Sequence, residues 1–121
     1  MFERLPELVN ADEALVRRGR FVTATMLVES SGKGTLIRID GGRITGTAPT
    51  PLLMADWIFA LRAPREAWEA FFAARPAPGF TDIFALQKRK LLTIEGNLQP
   101  FMANLLYFKD VLAKLRQKET A

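Results

Sequence analysis

The amino-acid sequence predicts an α+β fold, with a five-stranded, mainly antiparallel sheet and helices covering one of its faces. Segments rich in β-branched residues alternate with segments whose apolar residues recur every three or four positions. The first three strand-like segments follow one another through short glycine-containing turns, which is typical of an antiparallel meander. A length of 121 residues with 49% hydrophobic residues fits one globular domain over 1–121.

The N-terminal segment, residues 2–18, is predicted to be helical. Asn10 is followed three residues later by Glu13, a spacing that resembles a capping box, so we expect Asn10 to cap a second helical segment. The residues that recur at helical spacing and supply its apolar side are Leu5, Leu8, Val9, Leu15 and Val16.

Residues 21–28, 35–39 and 43–47 predict three consecutive strands. Asp40, Gly41 and Gly42 separate the second from the third and indicate a tight hairpin, because glycine accepts a positive φ without a steric penalty. In the first strand, alternate apolar residues are expected to point inward, namely Val22, Ala24, Met26 and Val28.

The second half of the chain is predicted to alternate strands and helices. Pro64 marks the start of one helix, and Asn97 is expected to cap the last one. The predicted elements are a strand over 53–61, a helix over 65–74, a short helix capped by Thr81 or Asp82 and extending to Gln87, a strand over 91–94, and a final helix after Asn97. Large apolar residues cover close to half of that final helix: Leu98, Phe101, Met102, Leu105, Leu106, Phe108, Leu112 and Leu115.

The composition excludes several kinds of chemistry. Because the chain has no cysteine and no histidine, it cannot build a Cys/His zinc site, a disulfide, or a nucleophile activated by histidine. The adjacent Asp12 and Glu13, and Glu66 and Glu69 three residues apart, are typical of solvated surface positions. We therefore expect no catalytic residues, no metal and no cofactor.

The formal net charge is +4, and much of the excess lies late in the chain, at residues 88–90 and in Lys109, Lys114, Arg116 and Lys118. A solvated basic face is the first interpretation, and transient attraction to an anionic membrane surface is the second. Since no nucleic-acid-binding motif accompanies these charges, nucleic acid is not expected as a partner. The sequence shows neither a signal peptide nor an apolar stretch long enough to span a bilayer, which favours a soluble cytoplasmic protein.

Several segments of the chain resemble corresponding segments of the sterol carrier protein 2 superfamily, and they occur in the same order. The chain thus resembles a bacterial stand-alone member of that superfamily. The last of them, LLTIEGNL, is similar to the family signature GKLKIEGD that leads into the final helix. Lys90 stands where the family often has glycine, and Asn97 where it often has aspartate. The segments that carry the resemblance, over nearly the whole chain, are residues 5–10, 40–44, 55–56, the helix with Trp68, and 91–98.

The resemblance implies an apolar tunnel between sheet and helices that carries a fatty acyl chain, a sterol-like molecule or an isoprenoid without catalysis. Burial of each CH₂ of such a ligand contributes about 0.8 kcal/mol. Trp57 and Phe59 are expected to share a face of the fourth strand. The candidate ligand-binding residues are Trp57, Phe59, Trp68, Phe72, Phe84, Phe101, Met102, Leu105, Phe108 and Lys109.

Other interpretations of these residues stay open. Each aromatic residue, taken singly, is also explained by ordinary core packing. Lys109 lies within the apolar arc of the last helix, where it either extends its amine to water or meets an anionic lipid headgroup at the tunnel mouth. The broad apolar face of that helix alternatively predicts an interaction or dimerisation domain, for example a homodimer or an accessory factor of a lipid- or quinone-modifying enzyme.

Overall fold

The structure is a computed structural model that describes residues 2–49, 57–76, 78–80 and 82–116. The predictions that concern residues 53–56, Thr81 and Lys118 lie outside this part. The helices are α1 (Leu5–Asn10), α2 (Glu13–Arg18), α3 (Arg65–Phe71), α4 (Ile83–Lys88), α5 (Gln99–Ala103) and α6 (Leu105–Ala113). The strands are β1 (Thr23–Ser30), β2 (Lys33–Asp40), β3 (Arg43–Pro49), β4 (Phe59–Ala63) and β5 (Thr93–Gly96).

The five strands form one mixed sheet in the order β3-β2-β1-β4-β5. The pairs β1–β2, β2–β3 and β4–β5 are antiparallel, whereas β1 and β4 are parallel, with Met26 opposite Phe59. Parallel neighbours require a crossover, and the chain makes it between the edge strand β3 and the interior strand β4. The predicted five-stranded, mainly antiparallel α+β fold is confirmed, with one parallel pair that the sequence did not indicate.

The helices pack on one face of the sheet. Val22, Ala24, Met26 and Val28 are all buried, as predicted, and Met26 and Val28 belong to the same core as the helical residues Leu5 and Phe108. The opposite face carries exposed polar residues toward the strand ends, while its centre is also buried. The exposed residues include Thr23, Arg38, Asp40 and Glu95, and the buried central ones are Leu27 and Ala60.

The predicted hairpin forms between β2 and β3. Gly41 and Gly42 have φ values of +59° and +82°, so both central residues adopt the left-handed conformation that a type I′ turn requires. A Cβ on Gly42 would stand 2.4 Å from the carbonyl oxygen of Val16, so the hairpin packs directly on the end of α2. Glycine is needed at position 42 for both reasons.

Asp12, and not Asn10, caps the second helix. The Asp12 carboxylate accepts a hydrogen bond from the Leu15 amide (3.1 Å) and another from Lys114 Nζ (2.6 Å). The bond from Lys114, and then that from Leu15, hold the pKa of Asp12 below its usual 3.8. The predicted cap is wrong because Asn10 ends α1, where its side-chain amide exchanges two 2.9 Å hydrogen bonds with the backbone of Ile44 on β3.

The predicted final helix is two helices, α5 and α6, separated by Asn104. Asn104 has φ −124° and ψ 35°, outside helical values, and its Nδ2 donates a 3.0 Å hydrogen bond to the carbonyl oxygen of Pro100. An asparagine side chain that bonds to nearby backbone competes with helical hydrogen bonding, which explains the break. Asn97 accepts a bond from the Gln99 amide (3.2 Å), but Leu98 occupies the cap position, so the predicted cap is one residue early.

Other boundaries also differ from the prediction, and one predicted cap makes no capping bond. The helix that begins after Pro64 ends at Phe71 and not at residue 74. Asp82 precedes α4 as predicted, although its side chain makes no capping bond and contacts Lys109 instead. β5 begins at Thr93, two residues late, because the left-handed Lys90 (φ +61°) prolongs the preceding turn.

Candidate functional site

Four of the predicted lining residues form one aromatic cluster between β4 and the last helices, called here the α6 ring cluster: Phe59, Phe84, Phe101 and Phe108. The ring of Phe101 lies 5.3 Å from that of Phe59, 5.6 Å from that of Phe108 and 6.2 Å from that of Phe84, measured between centroids. These separations are those of favourable aromatic pairs. Three of the rings are fully buried, and Phe84 alone is half-buried.

Trp68 and Phe72 belong to a second cluster against α3, called the α3 ring cluster, together with Phe2 and Phe71. Trp68 stacks on Phe72 at 5.7 Å and meets Phe2 edge-on at 5.3 Å. Its indole Nε1 donates a 2.9 Å hydrogen bond to the carbonyl oxygen of Glu29, which satisfies its polar atom. Phe2 was absent from the predicted set, although its spacing of three from Leu5 places it on the apolar side of the N-terminal segment.

Trp57 lies apart from both ring clusters. It precedes the first residue of β4, so the predicted strand face shared with Phe59 does not form. Its ring centroid is 5.7 Å from the guanidinium carbon of Arg62, a cation–π arrangement. Arg62 also pairs with the carboxylates of Glu29 and Glu95, so the surroundings of Trp57 are charged.

Met102 and Leu105 lie where the α6 ring cluster approaches the surface. Met102 is 53% exposed, and Leu105 is half-buried against the core. Both line a surface depression of about 420 Å³ that Arg18 and Leu106 also line. None of the four rings of the α6 ring cluster lines this depression, although the buried Phe101 is the neighbour of Met102 in the chain.

Lys109 has protein partners. Its Nζ lies 3.3 Å from the carboxylate of Asp82 and 5.2 Å from the centroid of the Phe84 ring. About a third of the lysine side chain is exposed (32%). Asp82 and Phe84 belong to α4 and its cap, so Lys109 connects α4 to α6 across the outer side of the ring cluster.

The space between sheet and helices is filled by these side chains in the part of the chain that the structure describes. Rings at centroid separations of 5–6 Å are in direct contact and leave no room for a lipid chain between them. Another depression, of about 570 Å³, lies at the surface and is lined by Phe2 together with polar side chains such as Ser30, Ser31 and Lys33. The open tunnel that the family resemblance implied is thus not seen among the described residues.

Tyr107 is a buried residue that the sequence analysis did not single out. Its hydroxyl donates a 2.7 Å hydrogen bond to the carbonyl oxygen of Gly42, so it ties α6 to the β2–β3 hairpin. Burial raises the pKa of this phenol to about 12. A single polar aromatic residue within an apolar helix is the sequence signal that could have drawn attention to it.

The described residues offer no cluster of side chains that could hold a metal ion. No group of three or more acidic side chains among them lies close enough to form a metal site. None of the helices in this part of the chain has the length and apolarity needed to cross a bilayer. The rings gathered between α4, α5 and α6 are apolar, which suits contact with hydrocarbon, and the Lys109–Asp82 pair lies at their edge.

The fold is shared with known structures, although no family model and no curated protein matches the chain. The crystal structure of sterol carrier protein 2 superposes with a TM-score of 0.73 and 14% sequence identity, covering 95% of this chain and 92% of that one. A conserved hypothetical protein of Thermus thermophilus, described as a possible sterol carrier protein, gives a TM-score of 0.67 at 13% identity, covering 98% and 87%.

A third structure is that of a ubiquinone synthesis protein named UbiJ-SCP2. It superposes with a TM-score of 0.62 and 14% identity, covering 94% of this chain and 87% of that one. At such identities the likeness concerns the backbone architecture. The chain has the fold of sterol carrier protein 2, as its sequence segments predicted.

Proposed function

We propose that this domain binds a single hydrophobic lipid, such as a fatty acyl, sterol-like or isoprenoid molecule, and that it does so without catalysis. The observation that carries the proposal is the α6 ring cluster itself, an apolar layer between the sheet and the last helices in a fold similar to that of sterol carrier protein 2. Met102, Leu105 and Phe84 are the exposed or half-buried apolar side chains on the same helices, and we infer that a lipid enters past them, which is the proposed route. Hydrocarbon is the ligand chemistry that this lining complements.

Binding requires the α6 ring cluster to open. We place the opening between Phe84 on α4 and Phe101 on α5, whose rings make the most widely spaced of the contacts within that cluster, at 6.2 Å. Phe84 is half-buried, so its displacement exposes less new apolar surface than displacement of Phe101 would. Each ligand CH₂ that enters contributes about 0.8 kcal/mol, so a long chain offsets the rearrangement.

The first experiment is mass spectrometry of organic extracts from gently purified protein, compared with a mock purification. The proposal predicts a lipid at about one molecule per protein, either from the host cell or after incubation with fatty acids, sterols and quinones. Absence of bound lipid under all of these conditions would contradict it.

Two half-buried leucines provide a matched pair of variants. Leu105→Arg places a charge on the proposed route, whereas Leu91→Arg places the same charge at a similarly half-buried position after α4. We expect Leu105→Arg to purify without lipid and Leu91→Arg to retain it. Equal retention in both variants would show that the lipid does not pass Leu105.

We also propose that Lys109 meets the headgroup of an anionic lipid at the mouth of this route. Its Nζ lies at the edge of the ring cluster, and Asp82 is its present counter-charge. Lys109→Met should weaken binding of a fatty acid, but not of the matching alcohol, by about fivefold, as for a partly exposed ion pair. Asp82→Asn should strengthen fatty-acid binding. If Lys109→Met changes affinity for the two lipids equally, the headgroup role is wrong.

A second candidate function is that of an interaction or dimerisation domain, for example as an accessory factor of a lipid- or quinone-modifying enzyme. The observation in its favour is the exposure of three large apolar side chains on the α5–α6 segment: Leu98 (37%), Met102 (53%) and Leu106 (73%). Sedimentation velocity discriminates the candidates. A carrier keeps its mass when lipid is added, whereas an interaction domain assembles with increasing concentration in the absence of lipid.

A further inference from the structure

The turn between α2 and β1 presents an aromatic ring and two arginines to solvent. The Val22 amide donates a 2.8 Å hydrogen bond to the Gly19 carbonyl oxygen, which places Arg20 and Phe21 at the two central positions of the turn. Phe21 is 85% exposed, and the Arg20 guanidinium lies 4.6 Å from its ring centroid. Arg17 is also exposed, and its carbonyl oxygen accepts a hydrogen bond from Arg20.

This turn lies against the beginning of α6. A Cβ on Gly19 would stand 2.2 Å from the Tyr107 ring, so the turn and the helix are in contact there. Arg18 pairs with Asp110 (2.5 Å), one helical turn after Leu106. Leu106 is 73% exposed and adjoins the depression that Met102 and Arg18 line. Arg18, Met102 and Leu106 are therefore neighbours at one depression, and the turn that carries Arg20 and Phe21 contacts α6 through Gly19.

We propose that these side chains form a docking surface for an anionic lipid bilayer; the surface comprises Arg17, Arg18, Arg20, Phe21, Met102 and Leu106. Large apolar side chains partition into the interface between headgroups and acyl chains, while arginines beside them contact lipid phosphates. The docking surface combines both chemistries, with Phe21 and Leu106 as its most exposed apolar members. This docking goes beyond lipid binding in the interior and does not require it.

Charge favours a bilayer over a second copy of the chain as the occupant. Of the acidic groups nearby, Asp110 pairs with Arg18, Asp40 lies opposite Arg43 in the hairpin, and Glu13 lies one helical turn before Arg17. Arg17 and Arg20 form no ion pair with a carboxylate among the described residues. A symmetric dimer through this surface would bring the same arginines of two chains together, and such like-charge contacts oppose association. An anionic membrane supplies the complementary charge.

The experiment is co-sedimentation of the full chain with phosphatidylcholine vesicles, with and without phosphatidylserine. The protein should bind the anionic vesicles and bind the neutral ones weakly, and added salt should reduce binding. The double variant Arg17→Gln, Arg20→Gln should lower the partition coefficient at least about tenfold, since each arginine near such a surface contributes about fivefold. Phe21→Ser should lower it about tenfold through lost apolar insertion.

The matched control removes two exposed charges elsewhere, by Lys33→Gln and Lys88→Gln. This variant has the same net charge as the arginine variant, and it should keep vesicle binding within about threefold of the wild type, because its charges lie away from the surface. Equal losses in both double variants would overturn the proposal, as would absence of binding to anionic vesicles.

A concentration-dependent dimer that Phe21→Ser abolishes would also overturn the proposal and assign the surface to a second copy. Vesicle binding is measured on lipid-free protein. A negative result here is therefore distinct from a failure to find lipid in the interior of the protein.

Discussion

At the scale of single residues, Lys90 is a lysine that adopts a left-handed backbone conformation, which usually favours glycine. It adopts φ +61° in the turn that precedes β5, in the left-handed region where a side chain is strained. Lys90 stands where the signature that this segment resembles has glycine, and glycine adopts a left-handed conformation without that strain. The cost of the conformation therefore comes from the lysine at this position.

Lys90→Gly should stabilise the protein. Relief of the left-handed strain outweighs the extra conformational entropy of glycine in the unfolded chain, for a net gain of about 0.5–1 kcal/mol in the free energy of unfolding. Urea denaturation measures it. The control, Lys88→Gly in α4, should lose about 1 kcal/mol, because its backbone is helical. Equal changes at positions 88 and 90 would contradict the explanation.

Tyr107 makes a second prediction at this scale, because it is the chain's one tyrosine. Its pKa in the folded protein is about 12 against an ordinary 10.0, so folding favours the neutral phenol. The stabilisation is complete below pH 10 and is lost as the pH rises toward 12. Tyrosinate absorbance should therefore appear near pH 12 in the folded protein and near pH 10 in urea. A folded-state midpoint near 10 would show that the ring is not buried.

At the scale of elements, α6 is the piece that joins the others. Tyr107 bonds to the β2–β3 hairpin, Asp110 pairs with Arg18 of α2, and Lys114, just after the helix, pairs with Asp12 at the start of α2. Its apolar side completes the α6 ring cluster through Phe108. Changes at the α2–α6 contact should accordingly affect both fold stability and the proposed lipid route.

Gly19→Ala tests that contact. The added methyl would stand 2.2 Å from the Tyr107 ring, which its hydrogen bond to Gly42 holds in place, so we expect a loss of about 1–3 kcal/mol in the free energy of unfolding. Gly46→Ala, whose Cβ would meet no atom within 4 Å, is the neutral control. The double variant Gly19→Ala, Tyr107→Ala should lose less stability than the sum of the losses of the two single variants, because the ring that the methyl would meet is gone. If the two losses in the free energy of unfolding simply add, the methyl and the ring do not clash.

At the scale of the whole molecule, the sheet and the helical layer share one core that is already filled. Phe59, Phe101 and Phe108 are fully buried and in mutual contact, so a lipid has to displace side chains rather than enter an open space. Such a binder should be measurably more stable with its ligand, because the ligand binds the folded state alone.

Scanning calorimetry with a fatty acid at a hundred times its dissociation constant measures this stabilisation. The expected gain is about 2.7 kcal/mol, which for a domain of this size raises the melting temperature by roughly 10 °C. The protein should remain the same size by sedimentation. Leu105→Arg should show no shift, whereas Leu91→Arg should shift like the wild type. An unchanged melting temperature in the wild type would count against interior binding.

Much of the fold and part of the candidate site followed from sequence. The meander, the Asp40–Gly42 hairpin and the inward residues of β1 were predicted correctly, since alternation and glycine turns act over a few residues. Phe59, Phe84, Phe101 and Phe108 are predicted from the sequence as ligand-binding residues, and the structure brings these four rings together, while their ligand-binding role stays a prediction. The sequence did not indicate that Trp57 lies apart or that Trp68 belongs to the α3 ring cluster.

What the sequence by itself determined is therefore local: strand alternation, turn chemistry, apolar helix faces and the absence of cysteine and histidine. Tertiary structure decided the parallel pairing of β1 with β4, the break at Asn104, the filled interior and the exposure of Phe21 beside α6. The physical reason is the distance along the chain over which each kind of interaction acts. Backbone preferences depend on near neighbours, whereas strand order, cavity filling and exposure depend on contacts between residues far apart in the chain.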